Sequence, residues 1–172
     1  MLKQQIATSL EQAFSAQGFA EPSVADLKTA CNVSLRTLYK HFPSKEAMIV
    51  AALVHRHQRY LVFLLNDAPI KGVEAVSHIF QKLEQWMTES APHGCLSMQA
   101  IAAFPDNPLI SKAVKDHKAE VRHMLGQQSL RDDLAIALFI LHEGVSSAWP
   151  VLGTEAITSA QKTVLQFLKQ EP

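Results

Sequence analysis

The segment from Leu27 to Lys45 is basic. It contains Lys28, Arg36, Lys40 and Lys45 and no acidic residue, although the chain of 172 residues has equal numbers of basic and acidic side chains. Cationic and hydroxyl-bearing side chains bind phosphate oxygens and read the edges of nucleic-acid bases. The sequence therefore predicts a local nucleic-acid surface on a protein whose overall charge does not attract a polyanion.

Short-range signals around this segment predict two short helices joined by a tight turn. Ser23 and Asp26 form the Ser-x-x-Asp pattern of a capping box, which starts the first helix. Asn32 tolerates the left-handed backbone of a sharp turn, Ser34 caps the second helix, and Pro43 ends it. This is a helix-turn-helix arrangement, in which the second helix enters the major groove of DNA.

The second helix is predicted to have an inner and an outer face. Leu38 and Phe42 lie four residues apart and should pack in a small core. Arg36, Thr37 and Lys40 should then face bases. With phosphates assigned to Tyr39, Ser23 and Lys45, the full set of predicted DNA-binding residues is Ser23, Ser34, Leu35, Arg36, Thr37, Tyr39, Lys40, His41 and Lys45. The alternative is a helical hairpin whose basic side chains only interact with solvent.

The same residues resemble the signature of the TetR family. Ser-Val-Ala-Asp-Leu from residue 23 is followed by Ala-Cys-Asn-Val-Ser-Leu-Arg-Thr-Leu-Tyr-Lys-His-Phe-Pro-Ser-Lys-Glu-Ala from residue 30. The resemblance extends back through Ile6, Phe14, Gly18 and Phe19. It implies a homodimeric, ligand-responsive regulator that binds DNA, usually as a repressor.

The chain departs from that family pattern in three ways. Asn32 stands where a turn glycine is usual, which the left-handed tolerance of asparagine allows. Leu35 stands where the family often has a polar or basic residue, so its role is open between packing and contact with a thymine methyl. The basic arm that many relatives have before the first helix is missing, which predicts weaker non-specific phosphate binding.

Apolar residues recur at three- and four-residue intervals along the chain, which predicts an all-α fold of about nine helices. Residues 1–46 are predicted to form the DNA-binding domain and residues 47–172 a domain for ligand binding and dimerisation. Helix breaks are predicted at Gly18-Phe19, residues 31–33, Pro43, and residues 66–72, 91–94, 105–108, 126–129 and 150–154.

Several other classes of protein are not expected from the sequence. Cys31 and Cys95 form neither a zinc-finger nor a disulfide pattern, and the spacing of His117, Glu120 and His123 drifts around a helix, so neither a metal nor a cofactor is expected. The amino end lacks the apolar run of a signal peptide, and no stretch approaches the ~20 apolar residues that span a bilayer. A cytoplasmic protein with no membrane partner is predicted.

The eighth predicted helix is apolar all round from Ala135 to Leu141 and therefore needs cover on every side. Together with an apolar stripe on the ninth helix, it predicts an isologous homodimer, as the resemblance also implies. The predicted interface residues are Leu134, Leu138, Leu141, Ile157, Val164 and Leu168. The alternative is the central core helix of a monomer.

Large apolar side chains with a few polar ones lie between these parts, where the resemblance implies a pocket for a small-molecule effector. The candidates are Phe63, Met87, Cys95, Met98, Gln99, Phe104 and His142. Cys95, expected in the first turn of a helix, is either a reactive sensor or an inert thiol. No nucleophile and base with an orienting group are visible, so the chain is not predicted to be an enzyme. The rival hypotheses are a thiol-dependent helical enzyme and a ligand-binding protein that does not bind DNA.

Overall fold

The computed structural model describes residues 1–169, which form nine α-helices, one 3-10 helix and no strand. The helices are α1 (Leu2–Gln17), α2 (Val24–Ala30), α3 (Leu35–His41), α4 (Lys45–Leu65), α5 (Val73–Glu89), α6 (Leu96–Ala103), α7 (Pro108–Ser129), α8 (Ala135–Leu152) and α9 (Thr154–Lys169). The 3-10 helix, Asp132–Leu134, precedes α8. The predicted all-α class is confirmed.

Two of the predicted helix breaks are wrong in detail. Gly126 was expected to end a helix, but α7 continues to Ser129. A Cβ atom at residue 126 would lie 3.0 Å from both the Cβ of Ala135 and a carboxylate oxygen of Asp132, so this glycine permits a close approach. Pro150 lies inside the last turn of α8, which ends only at Leu152, before Gly153 with φ of 52°.

The described chain divides into two compact units. Unit 1 comprises Met1–Arg59 and Leu96–His117, and therefore contains α1, α2, α3, α6 and the first parts of α4 and α7. Its core includes Phe14, Leu27, Leu38, Met48 and Ile49, all of which are fully buried. These side chains hold α2 and α3 against α1 and α4.

Unit 2 comprises Tyr60–Cys95 and the described residues from Lys118 onward. In this unit α8 packs on α9 and α5, and α5 also packs on α9. Its core includes Phe80, Leu83, Leu125, Leu138 and Val164. The functional boundary predicted at residue 46 stays a prediction, and the last three residues of the predicted second domain lie outside the described range.

One helical stretch is long and apolar enough, by length and composition, to cross a membrane. It runs from Asp132 to Leu152, with a mean hydropathy of 1.4 over its most apolar window, of which 22% is buried. No stretch of this kind is expected from the sequence alone. Core helices of soluble proteins meet the same criterion, but much of α8 is uncovered in its own chain.

Candidate nucleic-acid interface

The start of α2 is fixed by the predicted capping box. The Ser23 hydroxyl oxygen accepts a hydrogen bond from the Asp26 amide at 3.2 Å, and the Ser23 amide donates to the Asp26 carboxylate at 2.9 Å. The Ser23 hydroxyl also donates to the same carboxylate at 2.6 Å. These donors hold the pKa of Asp26 below its ordinary value. Two backbone groups at the helix end are thereby satisfied by local side chains.

The turn between α2 and α3 has the backbone that its sequence predicts. Asn32 adopts φ of 51°, in the left-handed region. Ser34 then caps α3, since its hydroxyl oxygen accepts a hydrogen bond from the Thr37 amide at 3.0 Å. At the other end α3 stops at His41, and Phe42 before Pro43 is extended. Helix α3 is therefore limited to seven residues by signals on both sides.

The two faces of α3 are separated as predicted. Leu38 is fully buried and Phe42 nearly so, and both belong to the core of unit 1. Arg36 and Lys40, one helical turn apart, are exposed. Leu35 is 46% exposed, so packing within unit 1 does not account for it. The basic face of this helix points away from the core.

The other predicted DNA-binding residues differ in their exposure and in the hydrogen bonds that they already make. Tyr39 is 42% exposed, whereas Thr37 and His41 are partly buried. The hydroxyls of Ser23 and Ser34 are exposed but already hydrogen-bonded in their caps. The ammonium group of Lys45 donates to the Ala20 carbonyl at 3.1 Å, which ties the start of α4 to the loop after α1.

The segment with this geometry matches a known family. Residues 7–52 match the model of the bacterial regulatory proteins of the tetR family, and this range contains the helix-turn-helix described above. Residues 7–52 therefore carry the helix-turn-helix sequence of the TetR family. The chain is also 27% identical over 127 residues to the HTH-type transcriptional regulator UidR of Escherichia coli K12. That match covers 74% of this chain and 63% of UidR, so the chain spans less than two thirds of this relative.

Solved structures show how far the shared fold extends. SCO4454, a TetR-family transcriptional regulator from Streptomyces coelicolor, aligns with a TM-score of 0.83 and 18% identity, over 98% of this chain and 90% of its own. The reduced form of Escherichia coli NemR aligns with a TM-score of 0.78 and 21% identity, over 99% of this chain and 98% of its own. The helical body after residue 52 therefore shares the fold of these proteins.

A buried carboxylate that was not predicted from the sequence joins α1 to α4. The Glu11 carboxylate is 3% exposed and lies 2.6 Å from Nδ1 of His55, 3.2 Å from Nη1 of Arg56 and 2.7 Å from Nη1 of Arg59. Such a cluster fixes the two helices because removing one partner leaves a buried charge uncompensated. The only signal was an acidic residue on the otherwise apolar inner face of α1.

Cys31 is a packing residue of the same unit. Its sulfur lies 3.8 Å from the Ile6 carbonyl oxygen, and burial raises the pKa of the thiol to about 11. Since the thiolate is the reactive form, this cysteine is chemically inert at neutral pH.

The residues predicted for the dimer interface lie partly inside unit 2. Leu138, Ile157 and Val164 are almost fully buried in the core of their own chain. The others, Leu134, Leu141 and Leu168, are partly buried and pack against that core. The uncovered apolar side chains of α8 and α9 are instead Ile136, Ile140, Val151, Leu152 and Leu165. An interface on these helices would therefore use the opposite phase of α8 from the one predicted.

The residues predicted to line an effector pocket fall in both units. In unit 1, Met98 and Gln99 are exposed and Phe104 is partly buried against the core. In unit 2, Met87 is buried, and the ring of Phe63 lies 5.5 Å from that of Trp86. The remaining two, Cys95 and His142, belong to a polar cluster in unit 2.

That cluster is a chain of hydrogen bonds and ion pairs. Tyr60 is hydrogen-bonded to Nε2 of buried His142, whose Nδ1 lies 3.1 Å from the Glu143 carboxylate. A neutral imidazole with its proton on Nδ1 satisfies both contacts, and burial holds the pKa of His142 below its ordinary value. The cluster continues from Glu143 to Lys118 at 2.6 Å and from Lys118 to the Cys95 sulfur at 3.3 Å.

The charges within the cluster stabilise each other. Burial works against the charged forms of Lys118 and Glu143. The negative groups nevertheless raise the pKa of Lys118, and the hydrogen bond from His142 together with the charge of Lys118 lowers the pKa of Glu143. Cys95 lies directly before α6 rather than within its first turn, so its position differs slightly from the predicted one.

Proposed function

We propose that this protein is a transcriptional regulator that binds a pseudo-palindromic operator in double-stranded DNA as a homodimer. It acts in the cytoplasm as a repressor, and a small-molecule effector modulates its affinity for DNA. The main observation that supports this proposal is the short capped helix α3, where Leu38 and Phe42 are buried and Arg36 and Lys40 are exposed. No catalytic role is part of the proposal.

The exposed face of α3 has the chemistry needed to read DNA. Arg36 and Lys40 offer donors to guanine N7 and O6, and Leu35 offers an apolar surface to a thymine methyl. We assign phosphate contacts to Tyr39 and Lys45, with Ser23 and Ser34 nearby and His41 at the edge. A seven-residue helix can lie in a major groove while its neighbouring helices contact the backbone of the duplex.

The dimer is proposed on the exposed apolar face of α8. Ile136 and Ile140 are 59% and 62% exposed and Val151 is 85% exposed, and their spacing places them on one side of the helix. Gly144 and Ser147 lie between them, and a Cβ on Gly144 would meet nothing within 4 Å in its own chain. An aliphatic face with a small-residue centre suits close packing against an identical helix.

The effector is proposed to bind in unit 2, beside the polar cluster. Tyr60 and His142 present hydrogen-bonding groups next to the aromatic rings of Phe63 and Trp86. Pockets for small molecules combine such an apolar lining with a few placed polar groups. An effector would shift the protein between two states only by its difference in affinity for them.

The test is selection of DNA by the full chain. Purified protein is incubated with a pool of random duplexes, and retained sequences are amplified, sequenced and measured by gel shift at several salt concentrations. We expect an inverted repeat whose half-sites are separated by about one helical turn or more, ~34 Å. Affinity for it should fall as salt rises, because lysine and arginine displace counterions from phosphates.

Two results of that experiment would contradict the proposed function. If no sequence is enriched and no complex forms even at low salt, DNA binding is excluded and the ligand-binding alternative is preferred. Enrichment of a single half-site without symmetry would contradict the homodimer while leaving DNA recognition in place.

A further inference from the structure

We infer that unit 1 contains a ligand-binding groove of its own, which takes an amphipathic organic anion. The groove is formed by residues of α1, α4 and α7 and by the end of α3, and its volume is about 830 Å³. Small-molecule sites typically enclose ~300–1,000 Å³, so the space suits a molecule with an extended apolar body.

The floor of the groove is an apolar stripe on α4. Ala47, Val50, Ala51 and Val54 line it, and their spacing places them on one side of the helix. All four are only partly buried, although unit 1 has a filled core beside them. The stripe spans ~10 Å along the helix axis at 1.5 Å per residue. This is partly exposed aliphatic surface that an apolar ligand would cover.

The opposite wall comes from α7. Leu109 and Ala113 line the groove one helical turn apart, and Leu109 is 58% exposed. Ala7 of α1 adds a further small side chain. His55 also lines the groove, but its two ring nitrogens lie near Glu11 and Thr8, so it closes the wall rather than holding a ligand.

The charges at the rim favour an acidic head group. Lys3 and Lys112 both line the groove, against one carboxylate, Asp116. Lys112 is paired with Asp116 at 2.6 Å, whereas the ammonium group of Lys3 lies 5.7 Å from the centre of the Phe42 ring. The cationic charge of Lys3 therefore lies at the end of the groove nearest α3. A carboxylate or sulfonate there, with its apolar body along the α4 stripe, complements both parts of the lining.

The position of the groove links it to the DNA-reading helix. His41 and Phe42, at the end of α3, line it directly. A bound anion would therefore contact the element that we propose to read DNA, and this consequence rests on the proposed function. Binding of the anion itself does not depend on that proposal.

The test compares two dyes that differ in one group. 1-Anilinonaphthalene-8-sulfonate has an apolar two-part body with an acidic head, and N-phenyl-1-naphthylamine has the same body without the acid. Both are titrated into the full chain, and fluorescence gives their affinities. We expect the sulfonate to bind more tightly, because only it can pair with Lys3.

Three variants locate the site. Ala51→Trp fills the groove and should weaken sulfonate binding by at least about tenfold, since it removes the apolar floor. Lys3→Glu should weaken the sulfonate by about fivefold and leave the neutral dye within about twofold. Lys115→Glu makes the same charge change on exposed α7 surface outside the lining, and it should leave both affinities unchanged.

The outcomes separate cleanly. Wild-type affinity for the sulfonate in both Ala51→Trp and Lys3→Glu overturns the inference, as does an equal loss in Lys3→Glu and Lys115→Glu. If Ala51→Trp does not fold, as judged by circular dichroism, the inference is tested by the affinities of Lys3→Glu and Lys115→Glu for the two dyes. If the dyes bind as expected but the protein does not bind DNA, the groove is supported and the proposed function is contradicted. If the protein binds DNA but the dyes do not bind as expected, the proposed function is supported and the groove is contradicted.

Discussion

Two helices of this protein expose side chains that their own unit does not cover, and they differ in kind. Helix α3 has seven residues, a hydroxyl cap and a polar, cationic outer face. Helix α8 has 18 residues, no side-chain cap and an aliphatic outer face. A cationic face suits a polyanion in water, whereas an aliphatic face suits another apolar surface. The proposed DNA and the proposed second copy must therefore meet different parts of the chain.

The largest expected effect comes from placing a charge on α8. Ile140→Asp should weaken dimerisation at least about a hundredfold, because a carboxylate at the centre of an apolar interface is buried without a partner. Analytical ultracentrifugation would show a monomer. The matched control is Ile70→Asp, in the loop before α5, where the side chain is 91% exposed. An unchanged dimer for Ile140→Asp, or equal dissociation of both variants, would remove α8 from the interface.

A smaller effect is expected on the cationic helix. Arg36→Ala should weaken binding to the selected DNA by about ten- to a hundredfold, the range for loss of a base contact. The oligomeric mass should not change, and this is what distinguishes α3 from α8. The control is Arg122→Ala, which removes an exposed arginine of α7 in unit 2. Gel-shift titration would measure the affinity of both variants for the selected DNA. Equal affinities would show that Arg36 does not contact the bases.

Removal of a helix cap should have a moderate effect on stability. Ser23→Ala deletes the hydroxyl that caps α2 and should lower the free energy of unfolding by about 1 kcal/mol. Urea unfolding followed by circular dichroism would measure this. Ser159→Ala, at an exposed position inside α9, removes a hydroxyl without a capping role. Equal losses in the two variants would show that the cap does not stabilise the helix-turn-helix.

The smallest effect is a dependence of that cap on pH. The Ser23 hydroxyl and amide lower the pKa of Asp26 in the folded chain, so its contribution is present above the unfolded pKa and is lost as pH falls through the folded value. The gap in urea midpoint between the wild type and Asp26→Asn should therefore narrow between about pH 5 and 3. Asp106→Asn, in the loop before α7, controls for loss of an exposed carboxylate. A gap that stays constant for Asp26→Asn would contradict the cap.

The features that the sequence predicted well are local ones. The capping box of Ser23 and Asp26, the left-handed Asn32 and the cap at Ser34 each depend on residues within three or four positions. Such signals act before any tertiary contact forms, and they define α2 and α3. The inner face of α3 was also predictable, because Leu38 and Phe42 set the phase of a short helix with a polar outer side.

The features that the sequence did not predict depend on distant contacts. Gly126 resembles a helix end until its approach to Ala135 and Asp132 is known. Helix α8 is apolar all round, so its sequence does not indicate which side faces the core. The exposed Ile136 and Ile140 could therefore not be distinguished from the buried Leu138. Lys118 and Cys95 lie 3.3 Å apart in space although 23 residues separate them along the chain. The groove of unit 1 likewise combines four helices.

The two sulfhydryl groups differ enough to give the natural chain a single labelling position. Burial keeps Cys31 protonated, whereas Cys95 is partly exposed beside an ammonium group. A maleimide nitroxide at neutral pH should therefore attach once per polypeptide, with no need to engineer cysteines. Pulsed electron resonance between the two attached radicals would then report their spacing within the proposed dimer, with and without DNA.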